Sequence, residues 1–445
     1  MRENFSSKLG FILTAAGSAV GLGNICRFPY GVNENGGAAF LLVYLFCVII
    51  IGFPFMWLEI GLGRMTGKGM SAAFEKTGAN WFFKLNPLLA LIISFIILSY
   101  YSVIAGWCLG YLGLSLVDKH EDFGNFVSNA NYTVPSALAF ILLVVWIVRS
   151  GVKAGIERAS KIMMPLLFVI LIGMAIYSLS LPNAYKGVEF LFHVDFSKIT
   201  PNLLVSAFGQ ALFSLSLGIG GLTIYGSYLS KKDNIVSISF WVILMDTLVA
   251  LLAGLIIFPA VFSFGISPKS ELAFTFNVLP EIFSSMPYGY VLSVLFFLLL
   301  ALAALTSGIS FFEILVGNIT DKSQISRKKV SYLLGIFVAL LAIPSALSTG
   351  ANAWFSSVSL FGKSGFLDIL DHTFGTVLFI VSAAMTSIYV GWFMPTKEVA
   401  EEISVGCSMF AKPLFLGVSL YKVFIFSVKF IIPILIAFVF AQKFL

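Results

Sequence analysis

Apolar runs close to the length needed to cross a bilayer recur from the first residues of this chain to the last. A hydrocarbon core about 30 Å thick takes roughly 20 residues of helix. About eleven runs qualify, with approximate spans 9–31, 38–63, 86–117, 135–149, 155–180, 201–227, 236–264, 289–317, 330–347, 367–394 and 421–442. Of the 445 residues, 59% are hydrophobic, 46 are Phe and only 11% are charged, more apolar surface than a soluble core of this length can hide. The runs do not alternate in polarity, which argues for helices over a barrel. The chain therefore reads as a single all-α integral membrane domain, 1–445. The first run is too long for a cleavable signal and lacks a small-residue cleavage site, so it is expected to remain as a span.

Lys and Arg set the orientation. With the N-terminus cytoplasmic, nineteen of them fall on the cytoplasmic side and six (Lys119, Lys186, Lys198, Lys269, Lys363 and Lys443) on the other. An odd span count then puts the C-terminus outside. The net charge of +6 reports this topology and not a nucleic-acid footprint. Lys429, inside the last span, has no role in the reading. Cys26, Cys47, Cys108 and Cys407 show no metal or redox spacing and serve as small apolar fillers.

Two spans are interrupted at corresponding places. The first carries Gly21-Leu22-Gly23-Asn24 and the sixth Ser216-Leu217-Gly218-Ile219-Gly220-Gly221. Glycine for close helix packing accounts for one such break. A matched pair five spans apart points to two inverted halves, approximately 9–180 and 201–394, plus an extra helix at 421–442, with a transport site at the breaks. Where a helix unwinds in hydrocarbon, its amides and carbonyls lose partners at several kcal/mol each. Freed carbonyls suit a cation, and the exposed start of the following half-helix suits a carboxylate. Polar residues inside the spans are few: Asn24, Arg27, Glu59, Asp246, Thr306, Ser307 and Glu313, with Asp371 near an outer end. Ionised groups there should face protein or water. Glu59 suits bracing of unwound backbone, Glu313 has no evident partner, and Asp246 needs a cation or a proton.

The motifs "GSAVGLGNICRFPY", "ENGGAAF", "PFMWLEIGLGR", "SYYSVIAGW", "GIERASKIMMP", "GQALFSLSLGIGG", "YGSYL", "ALTSG" and "LDHTFGT" follow one another along nearly the whole chain. In this order they resemble the neurotransmitter:sodium symporter family, in its bacterial branch of sodium-dependent tyrosine and hydrophobic amino-acid transporters. The resemblance implies the LeuT fold, a bacterial inner-membrane location and two sodium sites. The first would use the Ala19 carbonyl, Asn24, Ser214 and Asp246 with the substrate carboxylate. The second would use the Gly17 and Val20 carbonyls, the Ala303 carbonyl, Thr306 and Ser307. The substrate carboxylate would meet the Leu22 and Gly23 amides and the Tyr101 hydroxyl, and its ammonium the carbonyls of Ala19, Phe213 and Ser214 and the Ser216 hydroxyl. Gly21 stands where biogenic-amine members carry Asp, which favours an α-amino acid. Ile97, Phe213, Ile219, Ser307, Gly308 and Phe311 would surround the side chain. Gly308 would open space and Phe311 supply a stacking face, so tyrosine or tryptophan is favoured over leucine.

The resemblance further implies an outer gate of Arg27 with Asp371 and Tyr101 over Phe213, and an inner gate of Arg2 with Asp321 supported by Ser227 and Tyr228. Gly155 and Pro165 match a spacing that lets the fifth helix unwind. Chloride-dependent relatives carry Asn at Asp246, and chloride would sit near Tyr44, Gln210 and Ser214. Ala250 stands where chloride-independent relatives often carry Glu. Asp246 is therefore expected to supply the fixed negative charge itself. A transport-inactive receptor on the same fold is the alternative. An enzyme is not expected, because His120, His193 and His372 lie at helix ends or loops with no nucleophile–base constellation.

Overall fold

A computed structural model describes residues 4–119, 121–265, 274–413 and 417–444. Arg2, His120 and Lys269 lie outside these residues.

Most of the described residues are helical. We number its membrane helices α1 (Lys8–Ala19), α2 (Gly23–Glu34), α3 (Ala38–Thr66), α4 (Trp81–Leu116), α5 (Ala130–Val148) and α6 (Val152–Leu179). The second half comprises α7 (Pro201–Ser214), α8 (Gly221–Gly226), α9 (Ile235–Phe264), α10 (Gly289–Lys322), α11 (Arg327–Leu347), α12 (Phe366–Phe393) and α13 (Leu420–Gln442). Nine of these are long and apolar enough to cross a membrane unbroken, and α1 with α2 makes a tenth span bent by 55°. The remaining expected span, 201–227, is split into α7 and α8, each too short alone.

Local chemistry sets the helix ends. Pro201 opens α7 behind Thr200, whose hydroxyl accepts from Leu203 N at 3.2 Å. Asn80 caps α4 and Asn234 caps α9, each accepting an amide three residues on. The α3 helix ends on Gly67 (φ +64°) and α9 on Gly265 (φ +68°), the left-handed cap that glycine adopts without strain.

The α4 and α10 helices form the most extensive pair, with α5 against α4. Gly106 lets α4 approach α5 closely, since a Cβ there would lie 2.6 Å from Ala137 N. Trp107 Nε1 pins the same interface by donating to Thr133 Oγ1 at 2.9 Å. The broken helix α1/α2 packs on α9, with α1 also on α10, whereas α7 and α8 pack on α3, with α8 also on α10. The sole sheet among the described residues is a two-residue hairpin, Ser359–Leu360 with Lys363–Ser364.

Candidate functional site

Both expected breaks are present. After Ala19, Val20 turns extended (φ −68°, ψ 116°), ending α1. In the other break, residues 215–220 leave the helix, with positive φ at Ser216 (51°), Gly218 (103°) and Gly220 (77°). A serine at φ 51° is unusual. Its hydroxyl bridges the two breaks, donating to Ser18 O at 3.1 Å.

A carboxylate meets the amides that unwinding frees. Glu59 of α3 is fully buried, and its Oε1 accepts from Gly218 N (2.7 Å) and Gly220 N (3.4 Å) while Oε2 accepts from Leu222 N (3.1 Å). Ser382 of α12 donates to Gly218 O at 2.7 Å. The Gly218 Cα presses on Ala383, leaving no room for a side chain. The unwound segment is thus fixed in place by partners on α3 and α12.

Beside the breaks lies a buried acidic cluster. Asp246 of α9 has no exposure. Asn24 Nδ2 donates to its Oδ1 at 2.7 Å, Ser214 Oγ lies 2.9 and 2.8 Å from its two oxygens, and Tyr44 donates to Oδ2 at 3.3 Å. Asn24 Oδ1 accepts from Gly21 N at 3.1 Å, and Gln210 Nε2 donates to Gly23 O at 3.0 Å. No Lys or Arg pairs with Asp246 among the described residues. A buried carboxylate held only by neutral donors is poorly compensated and attracts a cation. Its oxygens are donors of the hard kind that alkali and alkaline-earth ions take.

A second group of oxygens gathers where α1 ends against α10. Thr306 Oγ1 donates to Ala303 O at 2.9 Å and approaches Val20 O at 3.3 Å, and Ser307 Oγ donates to Val20 O at 3.1 Å. Gly17 lies against the same threonine, a Cβ there falling 3.2 Å from Thr306 Cβ. This set is uncharged.

Between the two groups a narrow cavity is lined by Ala19, Gly21, Leu22, Gly23, Tyr101, Phe213, Ser214, Ser216, Ser307, Phe311 and Phe379. The Tyr101 hydroxyl is buried and completes no hydrogen bond, although the Leu22 backbone and Ser307 hydroxyl lie beside it. Phe379 was not anticipated. It directly follows the π-turn Asp371–Leu378 of α12, and its ring lies 6.2 Å from that of Phe213.

Three expected side-chain contacts fall elsewhere. Ile97 and Ile219 are buried but do not line the cavity. Gly308 does not open space into it: a Cβ at Gly308 would lie 2.7 Å from Phe140 Cζ and 3.2 Å from Val144 Cγ2, so α5 fills the gap. Phe140 in turn faces Tyr101, ring centroids 6.3 Å apart.

The outer gate also differs from expectation. Arg27 and Asp371 form no ion pair; the guanidinium lies over the Phe213 ring, Cζ 4.7 Å from its centroid. Asp371 instead shares the space above Gly375 with the Tyr100 hydroxyl. At the opposite end, Asp321 Oδ2 accepts from Gly69 N at 2.8 Å, and Ser227 Oγ donates to Ile224 O within its own turn. Tyr228 donates to Glu313 Oε1 at 2.7 Å. The partner that the sequence did not reveal for Glu313 is Arg327, which pairs with both its oxygens and donates to Val148 O at 2.9 Å. This cluster joins α5, the turn after α8, α10 and α11. Nearby, α6 begins with a π-turn, Val152–Glu157, whose Glu157 accepts from Ser6 N (2.8 Å) and Lys161 (2.6 Å) and so ties the start of α1 to α6.

A sequence model of the sodium:neurotransmitter symporter family matches residues 2–123 and 127–445. The chain belongs to this family. It is 37% identical over 445 residues to an uncharacterized sodium-dependent transporter of Bacillus subtilis (strain 168), YhdH, covering 98% of this chain and 96% of that protein. It is 34% identical over 431 residues to the uncharacterized sodium-dependent transporter MJ1319 of Methanocaldococcus jannaschii, covering 91% and 84%. Among solved structures, that of MhsT in complex with L-phenylalanine superposes with a TM-score of 0.89 at 39% identity, covering all of both chains. As a member of the sodium:neurotransmitter symporter family the chain is a sodium-dependent, multi-pass membrane transporter of LeuT fold, not an enzyme.

Proposed function

We propose that this transporter imports a large hydrophobic or aromatic L-amino acid across the bacterial inner membrane with sodium, through two ion sites and without chloride. The observation that carries the reading is the buried Asp246 carboxylate, held by Asn24, Ser214 and Tyr44 with no basic partner.

A sodium ion between Asp246, Asn24, Ser214 and the Ala19 carbonyl balances that charge and also meets the substrate carboxylate, so ion and substrate stabilise each other. The same fixed charge makes an anion from solution unnecessary near Tyr44 and Gln210. A second sodium belongs with Gly17, Val20, Ala303, Thr306 and Ser307, where it joins α1 to α10. The substrate carboxylate meets the start of α2 and the unpartnered Tyr101 hydroxyl, whereas its side chain lies against Phe213, Phe311 and Phe379. Three aromatic rings favour an apolar or aromatic side chain, and the likeness to MhsT, solved with L-phenylalanine, supports that class.

Arg27 over Phe213 closes the outer side and approaches Asp371 as the vestibule narrows. Asp321 with Arg2, and Glu313 with Tyr228, close the inner side. The inverted halves 9–180 and 201–394 rock about the site, with the N-terminus cytoplasmic and the C-terminus outside.

Uptake into proteoliposomes tests the proposal. With an inward sodium gradient, labelled L-phenylalanine should accumulate equally in chloride and gluconate buffers, and unlabelled tyrosine and tryptophan should compete better than alanine or leucine. Strict chloride dependence would defeat the role given to Asp246. Stronger competition by alanine would defeat the assigned substrate class, and binding without accumulation would leave a receptor.

A further inference from the structure

The transport site leaves Lys429 of α13 unused. The residue lies in a π-turn, Ser427–Ile431, that faces a second π-turn, Tyr389–Phe393, at the end of α12. The two helices touch at Gly391, where a Cβ would lie 3.3 Å from Lys429 Cα. Wide turns free carbonyls for side-chain donors. Trp392 Nε1 donates to Lys429 O at 2.8 Å and Ser387 Oγ to Val428 O at 2.9 Å. These contacts hold the Lys429 backbone level with the last turn of α12.

That level carries a belt of exposed rings. Trp392 is 56% exposed and meets Phe430 edge-on at 5.3 Å. Phe393 is 62% exposed and packs on Phe83, in the first turn of α4, at 4.6 Å beside the exposed Trp81 and Phe82. Such rings mark the boundary between hydrocarbon and headgroups. The loops beyond it on this side carry the excess of Lys and Arg. Lys429 is thus a headgroup-level residue, although it lies ten residues into its helix.

The Lys429 ammonium lies 5.8 Å from the Trp392 ring centroid and forms no ion pair with a carboxylate among the described residues. Two turns earlier the exposed Lys422 presents a second ammonium along the same helix, with the exposed Phe426 between. Of the acidic groups on the adjoining helix Thr396–Ser404, Glu402 is taken by Arg64 and Lys231, Glu398 is exposed, and the exposed Glu401 lies near Tyr421 at the start of α13. Two cations and exposed rings at headgroup depth match a phosphodiester attached to acyl chains.

We propose that Lys429, Trp392 and Lys422 form a site for an anionic phospholipid of the inner leaflet. The lipid phosphate sits between the two ammonium groups, and its acyl chain lies along Phe426 and Phe430. A zwitterionic lipid carries its own ammonium and gains less. The site is distinct from the ion and substrate positions and holds whatever amino acid is carried.

Native mass spectrometry of the full chain, released from nanodiscs of phosphatidylethanolamine with phosphatidylglycerol, tests the inference. The unchanged protein should retain phosphatidylglycerol preferentially. Lys429→Gln should reduce retention about fivefold, the equivalent of the roughly 1 kcal/mol expected per lysine at a charged surface. Lys429→Arg should preserve it, and Lys363→Gln on the opposite side should change nothing. The part of the tryptophan quenching that is lost in Trp392→Phe should be larger with brominated phosphatidylglycerol than with brominated phosphatidylcholine. Equal retention of both lipids, or undiminished retention in Lys429→Gln, would overturn the site and leave Lys429 as a snorkelling side chain. If Lys429→Gln does not fold, a Trp392-dependent part of the quenching that is equal for the two brominated lipids overturns it independently.

Discussion

Single residues decide how closely the helices around the site pack, and Gly308 shows how. The sequence suggests that a glycine at this position enlarges the substrate pocket, but the structure turns its bare Cα toward Phe140 of α5. The pairing joins residues 168 positions apart, and which helix faces a glycine depends on packing that periodicity does not encode. Gly308→Ala should therefore act as overpacking, lowering stability by about 1–3 kcal/mol and displacing Phe140 against Tyr101. Phe140→Leu in the same chain should restore most of the loss, a coupling that a thermal-unfolding double-mutant cycle measures. Additive losses would show that the two residues do not touch. The polar cluster beside the breaks, by contrast, was legible. Asn24, Ser214 and Asp246 are polar residues in apolar runs, where each must find a partner, and they converge within hydrogen-bonding distance.

At the scale of elements, the two breaks were readable because glycine clusters interrupt otherwise continuous apolar runs, and every unbroken span ends within five residues of its expected boundary. What fixes the breaks was only partly readable. Glu59 stood out as an intramembrane carboxylate, but its three amide partners lie more than 150 residues away. Glu59→Gln keeps the shape and loses the charge and one acceptor. Hydrogen bonds to a charged group contribute about 1.5–3 kcal/mol, so ligand affinity should fall at least tenfold with the helix content unchanged by circular dichroism. Unaltered affinity would mean that 215–220 holds its form without the brace. The Glu313–Arg327 pair escaped the sequence reading because α11 folds back on α10 through the short turn 323–326, bringing a loop-end cation beside a mid-helix acid. Arg327→Met alone leaves a buried charge, which costs about 3–5 kcal/mol. Adding Glu313→Gln should recover much of that, as read by the detergent-solubilised melting temperature. A double variant no more stable than Arg327→Met would rule out the pair as a closed unit.

For the whole molecule, composition alone settled the membrane class, and the order of motifs settled the family that the comparisons then established. The outer gating contact did not follow, because charged side chains at that mouth choose among several partners: Arg27 lies over Phe213 while Asp371 meets Tyr100. The central claim is physical: unwound backbone in α1/α2 and α7/α8, closed around Asp246, binds an amino acid only together with a cation. Equilibrium binding of labelled L-phenylalanine to the purified protein, in sodium and in choline at equal ionic strength, tests it most directly. The account predicts saturable binding in sodium that falls at least tenfold in choline and is lost in Asp246→Ala. Equally tight binding in the two salts would contradict it.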